Sequence, residues 1–425
     1  MQEEQGMKNL TLKELAIPMI KAIDSFNYLL KSHHRRVAII SYYIGMELQL
    51  NEEELLKLVI AAGLHDIGAL SVSERDLLIK EDVDNPKPHC IMGYKMLAGF
   101  EVFKDIAQII KHHHINLKDI QNMPKDEVLF QSFIIHLADR VDILLLQDTK
   151  VDTQKEYVIS HIEKKVGTIF HPEVFEAFLK MAKSNNFWDD IETMSIDVLF
   201  RKMNFVIDYE MNYDDILEFA LVISRIVDFR SRFTASHSYT VAQLAFLIGR
   251  LLGHDTIFCK KLKIAGYLHD IGKIGIDPSI IEKNGKLTAE EFKTIQLHPY
   301  YSEKILHELQ KTPWFLDIVS WAAKHHEKND GRGYPYHLEK DTLDEGTKIL
   351  AFADVITALI ENRPYREGMD IQKAFKIIRS DLAPKISSSM FEKIEIYKKE
   401  ISELVQECNT YSSVEYKNAI NEANS

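Results

Sequence analysis

Apolar positions recur at helical spacing just beyond Asp215: Ile216, Phe219, Ala220, Ile223, Ile226 and Val227 fall on one stripe of a 3.6-residue period. A stripe of this kind is what a bundle helix buries. The same stretch, LEFALVISRIVD at 217–228, lies 204 residues beyond KELAIPMIKAID at 13–24. SHSYTVAQLAFLIG at 236–249 lies 204 residues beyond SHHRRVAIISYYIG at 32–45, and YLHDIGKI at 267–274 lies 204 beyond GLHDIGAL at 63–70. Motifs repeated at one offset imply an internal duplication. The pattern predicts two helical bundles, residues 1–200 and 205–425, with the change-over somewhere in 190–212.

Composition points the same way. Glycine and proline number 17 and 11 among 425 residues, about half the usual share, and this scarcity of turn formers fits an all-α protein. A net charge of −12 argues against a nucleic-acid polymer or an anionic membrane surface as the main partner, so a phosphate-bearing ligand needs a local source of positive charge. Cys90, Cys259 and Cys408 lie far apart and form no CxxC pair, which argues against both a disulfide framework and a thiolate zinc site. They read as ordinary core or surface residues. No apolar run approaches the roughly 18 residues of a membrane span, and the amino terminus, MQEEQGMKNL, is polar and acidic. A cytoplasmic protein is expected.

The histidines carry the chemistry. In KHHEKNDGRGYP, residues 324–335, His325 and His326 are adjacent, and neighbours on a regular helix point about 100° apart, so the two cannot both face one core. By itself such a pair reads as a solvated turn. The second copy, however, sets out His237, His269-Asp270, His298, His325-His326 and Asp354 in that order. The first copy sets out His33, His65-Asp66, His89, His112-His113 and Asp139, at offsets growing from 204 to 209, 213 and 215. Seven positions recurring in order, all imidazole or carboxylate, are the ligand set that a divalent metal centre needs. Imidazole suits first-row transition metals, a carboxylate can bridge two of them, and two metals about 3.5–4 Å apart can clamp the attacking and departing oxygens of a phosphodiester.

At these residues the sequence resembles the HD-GYP family of metal-dependent phosphodiesterases, a branch of the HD superfamily. The likeness runs from about Asp214 to about Leu404, and rests on HDIGKIGI (269–276), HPYYSEKIL (298–306), HHEKNDGRGYP (325–335) and ADVITAL (353–359) with RPYRE (363–367). It implies tandem HD-type helical bundles around buried metal sites. It also implies hydrolysis of a 3'-5' cyclic dinucleotide, cyclic di-GMP or 3',3'-cyclic GMP-AMP, to the linear dinucleotide or on to mononucleotides.

The resemblance implies roles residue by residue. His237, His269, Asp270 and Asp354 would bind one metal and His298, His325 and His326 the other, with Asp270 bridging and water activated at the metals attacking phosphorus. Lys273, within HDIGK, would neutralise a phosphate oxygen as charge develops. Gly333, Tyr334 and Pro335 form the loop at the mouth of the site; Gly331 and Gly333 permit positive φ or close backbone approach, while Tyr334 serves either as a stacking face for a base or as a packing residue. Arg332, Arg363 and Arg366 are left out of the site as solvated arginines. Phe233 stands where some members carry a glutamate that helps to hold a third metal, so two divalent transition metals are expected. Iron or manganese is favoured, with zinc, cobalt or nickel as alternatives.

The first copy departs further. Ala69 replaces the lysine and HHHINLKDIQNMP (112–124) replaces the GYP loop, although GTIFHPEVFEAFL (167–179) resembles the family's closing segment. It reads as a degenerate HD domain that binds metal through His33, His65, Asp66, His89, His112, His113 and Asp139 without efficient turnover, in a regulatory, ligand-sensing or homodimerising role. Two alternatives stand beside the phosphodiesterase reading. One is an HD-type phosphohydrolase of another nucleotide, which commonly uses a single-metal H…HD…D set, so that His298 and the His325-His326 pair count against it. The other is a nucleotide-binding signalling scaffold.

Overall fold

A computed structural model describes residues 10–24, 32–69, 87–122, 129–145, 149–203, 208–209, 211–228, 237–281, 283, 285–339, 342–361, 368–408 and 410. The chain divides into two compact units, one spanning residues 11–209 and the other residues 210–422 together with Leu10. Both are helical bundles, and strand among the described residues is confined to Leu10–Thr11 and Asp208–Tyr209. No described helix is long and apolar enough to cross a membrane.

The duplication read from the sequence is visible helix by helix. Leu12–Asp24, His33–Glu47, Glu52–Leu64, Lys87–Ala98, Lys104–Lys111 and Phe130–Ile143 of the first unit follow the same order as Tyr213–Asp228, His237–Leu251, Thr256–Leu268, His298–Leu306, Leu316–Lys324 and Glu345–Ile360 of the second. The stripe on Tyr213–Asp228 does face the core: Ile216, Phe219, Ala220 and Ile223 are fully buried and Val227 nearly so. Burial of such side chains, at about 1.5–3 kcal/mol each, is the main term that holds a bundle together.

Local signals set the helix ends. Asn51 begins Glu52–Leu64 with a capping box shared with Glu54, and Asp255 does the same work for Thr256–Leu268 by accepting from the Phe258 amide at 2.8 Å. The preceding turn needs a left-handed residue in both copies, Gln49 at φ 57 and Gly253 at φ 87.

A second glycine brings the site together. A Cβ on Gly272 would stand 1.9 Å from the carbonyl oxygen of His298, and one on Gly68 would stand 2.1 Å from that of His89. Only glycine lets the HDIG turn press against the start of the following helix. The carboxylate of Asp270 or Asp66 thereby meets the histidine that opens the next element. Ser302 locks this joint in the second unit, accepting from the Gly272 amide and donating to the carbonyl of His269.

Candidate metal centres

In the second unit all seven ligand-type residues converge. His237 opens one helix, His269 and Asp270 follow the end of the next, His298 opens a third, His325 and His326 end a fourth, and Asp354 lies on a fifth. Their ligand atoms form overlapping groups, His237 with His269 and Asp354, His269 with Asp270 and His325, and His298 with His325 and His326. Asp270 joins them. Its Oδ2 lies 3.3 Å from His269 Nε2 and 3.6 Å from His237 Nε2, and its Oδ1 lies 3.3 Å from His298 Nε2.

The ring orientations are fixed from behind. Nδ1 of His269, His298 and His325 lies 2.7–2.8 Å from the carbonyl oxygens of Gly266, Ile295 and Ala322. A carbonyl can only accept, so each Nδ1 carries the proton and each Nε2 keeps its lone pair. Nε2 of His298 and His325 then face each other at 3.4 Å. Metal–nitrogen bonds of about 2.0–2.1 Å put neighbouring ligand atoms about 3–3.4 Å apart, so the cluster fits a cation. His269 Nε2 and Asp270 Oδ1 are buried with no hydrogen-bond partner, an arrangement that is costly unless something binds there.

Protonation agrees with a ligand role. Burial pushes the imidazole of His326 down to about 3 and holds that of His325 well below its usual range, so both are neutral donors near pH 7. Burial opposes ionisation of Asp270, but His269 and then Lys273 overcome it and hold the carboxyl well below its usual range. Asp354 is held down against burial by His237 and His326.

The loop beyond the paired histidines is built by close contacts. Gly331 has φ 71, whereas a Cβ on Gly333 would stand 2.4 Å from Glu327 Cα, so the first glycine supplies the turn and the second the close approach. The Tyr334-Pro335 peptide is cis. Tyr334 lays its ring 4.7 Å from that of His326. Arg332 is exposed; Phe233, Arg363 and Arg366 lie outside the described residues.

Sequence reasoning passed over two acids here. Glu361 approaches His237 Nδ1 at 3.0 Å through Oε2, and the available signal was its position seven residues after Asp354, on the same helical face. Glu327 is almost fully buried and accepts from the amides of Tyr336 and Leu338 at 2.6 and 2.9 Å, pinning the loop. Its signal was its place directly after the paired histidines.

The first unit reproduces the arrangement with one correction. His33, His65 and Asp66 group together, and so do Asp66, His89, His113 and His114, while Asp139 Oδ1 lies 3.5 Å from His33 Nε2. The pair that enters the cluster is therefore His113-His114, and His112 does not join it. The helix ends at Lys111, with His112 capping it through a bond to the Ile109 carbonyl. His113 is the residue whose Nδ1 meets the carbonyl three back, Ile110, at 2.7 Å, as His325 does with Ala322. Behind the cluster Asp142, not a glutamate, holds His33 Nδ1 at 2.6 Å and pairs with Arg36. Arg140 donates to Asp139 Oδ2 from Nε and Nη2, where the second unit has Val355 after Asp354.

Two helical bundles, each with an HD pair at the heart of a histidine and carboxylate cluster, define a tandem HD-domain protein, and family models described as HD domain match residues 30–144 and 221–386. The chain belongs to the HD-domain family, with one HD domain in each half. It is 29% identical over 400 residues, 91% of each chain, to 3'3'-cGAMP-specific phosphodiesterase 1 of Vibrio cholerae. It is 31% identical over 198 residues, 46% of this chain and 54% of the relative, to a cyclic di-GMP phosphodiesterase of Thermotoga maritima. A solved cyclic GMP-AMP-specific phosphodiesterase from V. cholerae shares the fold at a TM-score of 0.62 and 24% identity, covering 91% of this chain and 97% of that one.

Proposed function

We propose that the chain is a metal-dependent cyclic dinucleotide phosphodiesterase whose active site is the cluster in the second HD domain. The observation that carries the reading is Asp270, whose two oxygens face different histidine groups at 3.3 Å, the disposition of a carboxylate that bridges two cations. His237, His269 and Asp354 would hold one metal and His298, His325 and His326 the other, with Asp270 shared. When bound, such metals supply Lewis acidity and lower the pKa of water towards neutrality. Iron or manganese suits this nitrogen and oxygen donor set.

The protein groups divide the remaining work. The backbone carbonyls behind His269, His298 and His325 orient the rings before any ligand arrives. Lys273, partly exposed at the rim, brings positive charge to the site of an acidic protein, and would meet a non-bridging phosphate oxygen. Glu327 and Gly333 hold the loop that carries Tyr334 beside His326.

Of the cyclic dinucleotides, 3',3'-cyclic GMP-AMP is the preferred substrate in this reading. Relatives named for that nucleotide align over 91% and 89% of the chain, both HD domains included. The Thermotoga maritima relative named for cyclic di-GMP aligns over 46%. Incubating manganese- or iron-loaded protein with 3',3'-cyclic GMP-AMP, cyclic di-GMP and cyclic di-AMP tests it. Fastest conversion of the hybrid nucleotide to a linear product is expected, and turnover of none of the three would overturn the proposal.

A further inference from the structure

Cys90 follows His89 in the first HD domain, at the position that Pro299 takes after His298 in the second. Its Sγ lies 3.6 Å from His89 Nε2. His89 Nε2 lies 3.2 Å from His113 Nε2, and Asp66 Oδ1 lies 3.2 and 3.5 Å from those two nitrogens. Two nitrogens and one oxygen thus gather at one spot with His114 beside them, and the Cys90 sulfur lies against His89 and His113 at its edge. Bonds of about 2.3 Å to sulfur and 2.0–2.1 Å to nitrogen or oxygen, spread tetrahedrally, put ligand atoms about 3.4–3.6 Å apart. Asp66 Oδ1 is buried and makes no hydrogen bond, so it is aimed into the group with nothing to satisfy it. His113 Nδ1 meets the Ile110 carbonyl, which leaves its Nε2 lone pair directed at the same place.

We propose that the first HD domain holds a metal of a different class from the second, with the Cys90 thiolate, His89, His113 and Asp66 as its ligands. Binding breaks the Cys90 S–H bond, releases the proton to solvent and forms a sulfur–metal bond, with no change of oxidation state. A soft thiolate among imidazoles selects zinc, whereas the second centre, with proline in place of cysteine, offers nitrogen and oxygen only. Four protein ligands, with His114 lying beside them, leave no open position for a reacting water, which marks a structural site rather than a catalytic one. Ala69 in place of the lysine and Arg140 engaged with Asp139 fit that role. The assignment does not depend on the hydrolytic reading of the second domain.

The full-length chain, stripped with a chelator and reloaded with cobalt(II) as a stand-in for zinc, should show a near-ultraviolet thiolate-to-cobalt charge-transfer band. That band should vanish in Cys90→Ser, survive in Cys259→Ser, and survive in the double variant His269→Ala with Asp270→Ala, which removes the other centre. Absence of the band from the loaded wild-type chain, or its persistence in Cys90→Ser, would overturn the proposal. X-ray absorption at the zinc edge of the wild-type chain needs no variant, and should find one sulfur at about 2.3 Å. A shell of nitrogen and oxygen alone would likewise overturn it.

Discussion

Lys273 places Nζ 2.5 Å from Oδ2 of Asp270, the carboxylate oxygen that also faces His269 and His237. The two residues sit one turn apart on the HDIGK segment, so a cation at this rim is carried by the same turn that presents the bridging acid. Replacing Lys273 by Ala should lower kcat about a hundredfold, on the order of 3 kcal/mol, while leaving KM within a few fold, because the lost charge acts on the transition state. Steady-state kinetics with intact far-ultraviolet dichroism checks it; a change confined to KM would move Lys273 from catalysis to ground-state binding.

Asp270→Asn keeps the shape of the bridge and removes its charge. The variant should lose metal from both halves of the second centre and lose hydrolysis with it, while the helical signal stays near wild type. Elemental analysis alongside an activity assay decides the matter, and near wild-type turnover would sink the dinuclear assignment.

The two copies should divide their labour. His65→Ala with Asp66→Ala should leave substantial turnover, since the first copy has Ala69 and no GYP loop, whereas His269→Ala with Asp270→Ala should abolish it. The reverse pattern would place the active site in the first domain.

Gly272→Ala forces a methyl group to 1.9 Å from a backbone carbonyl oxygen and Gly68→Ala does the same at 2.1 Å, so neither clash can be relieved by a side chain turning away. Each should destabilise its own domain by about 1–3 kcal/mol, the usual cost of overpacking. Only Gly272→Ala should also reduce turnover by parting Asp270 from His298. Chemical denaturation followed by kinetics on the same samples separates the two effects.

Asp228 gives a pH dependence of unusual sign. It is buried, and burial first, with Asp270 adding to it and His237 opposing, raises its carboxyl to about 7. The folded state therefore binds this proton more tightly than the unfolded state, and stability falls as pH rises from about 4 to about 7. In metal-free protein, Asp228→Asn should relieve a cost of a few kcal/mol at pH 8 and change little at pH 4. Melting curves at the two values test this. An equal effect at both would show that Asp228 is not protonated in the fold.

The sequence by itself determined the duplication, the helical class and the residue types of both clusters. The reason is physical: buried helix faces impose a period on apolar residues, and a metal centre restricts its ligands to imidazole and carboxylate, so both leave marks that survive in one dimension. The GYP loop was legible for the same reason, since a left-handed turn at Gly331 and a tight backbone approach at Gly333 leave little choice but glycine. Direction in space left no such mark. Three consecutive histidines at 112–114 look alike in sequence, and only the end of the helix at Lys111 turns His113 and His114 inward. Glu361 reaches His237 across 124 residues of chain. His89 meets His113 at 3.2 Å across 24 residues of chain. Those meetings depend on how helices cross, and the crossing is set by the packing of many side chains together rather than by any one motif.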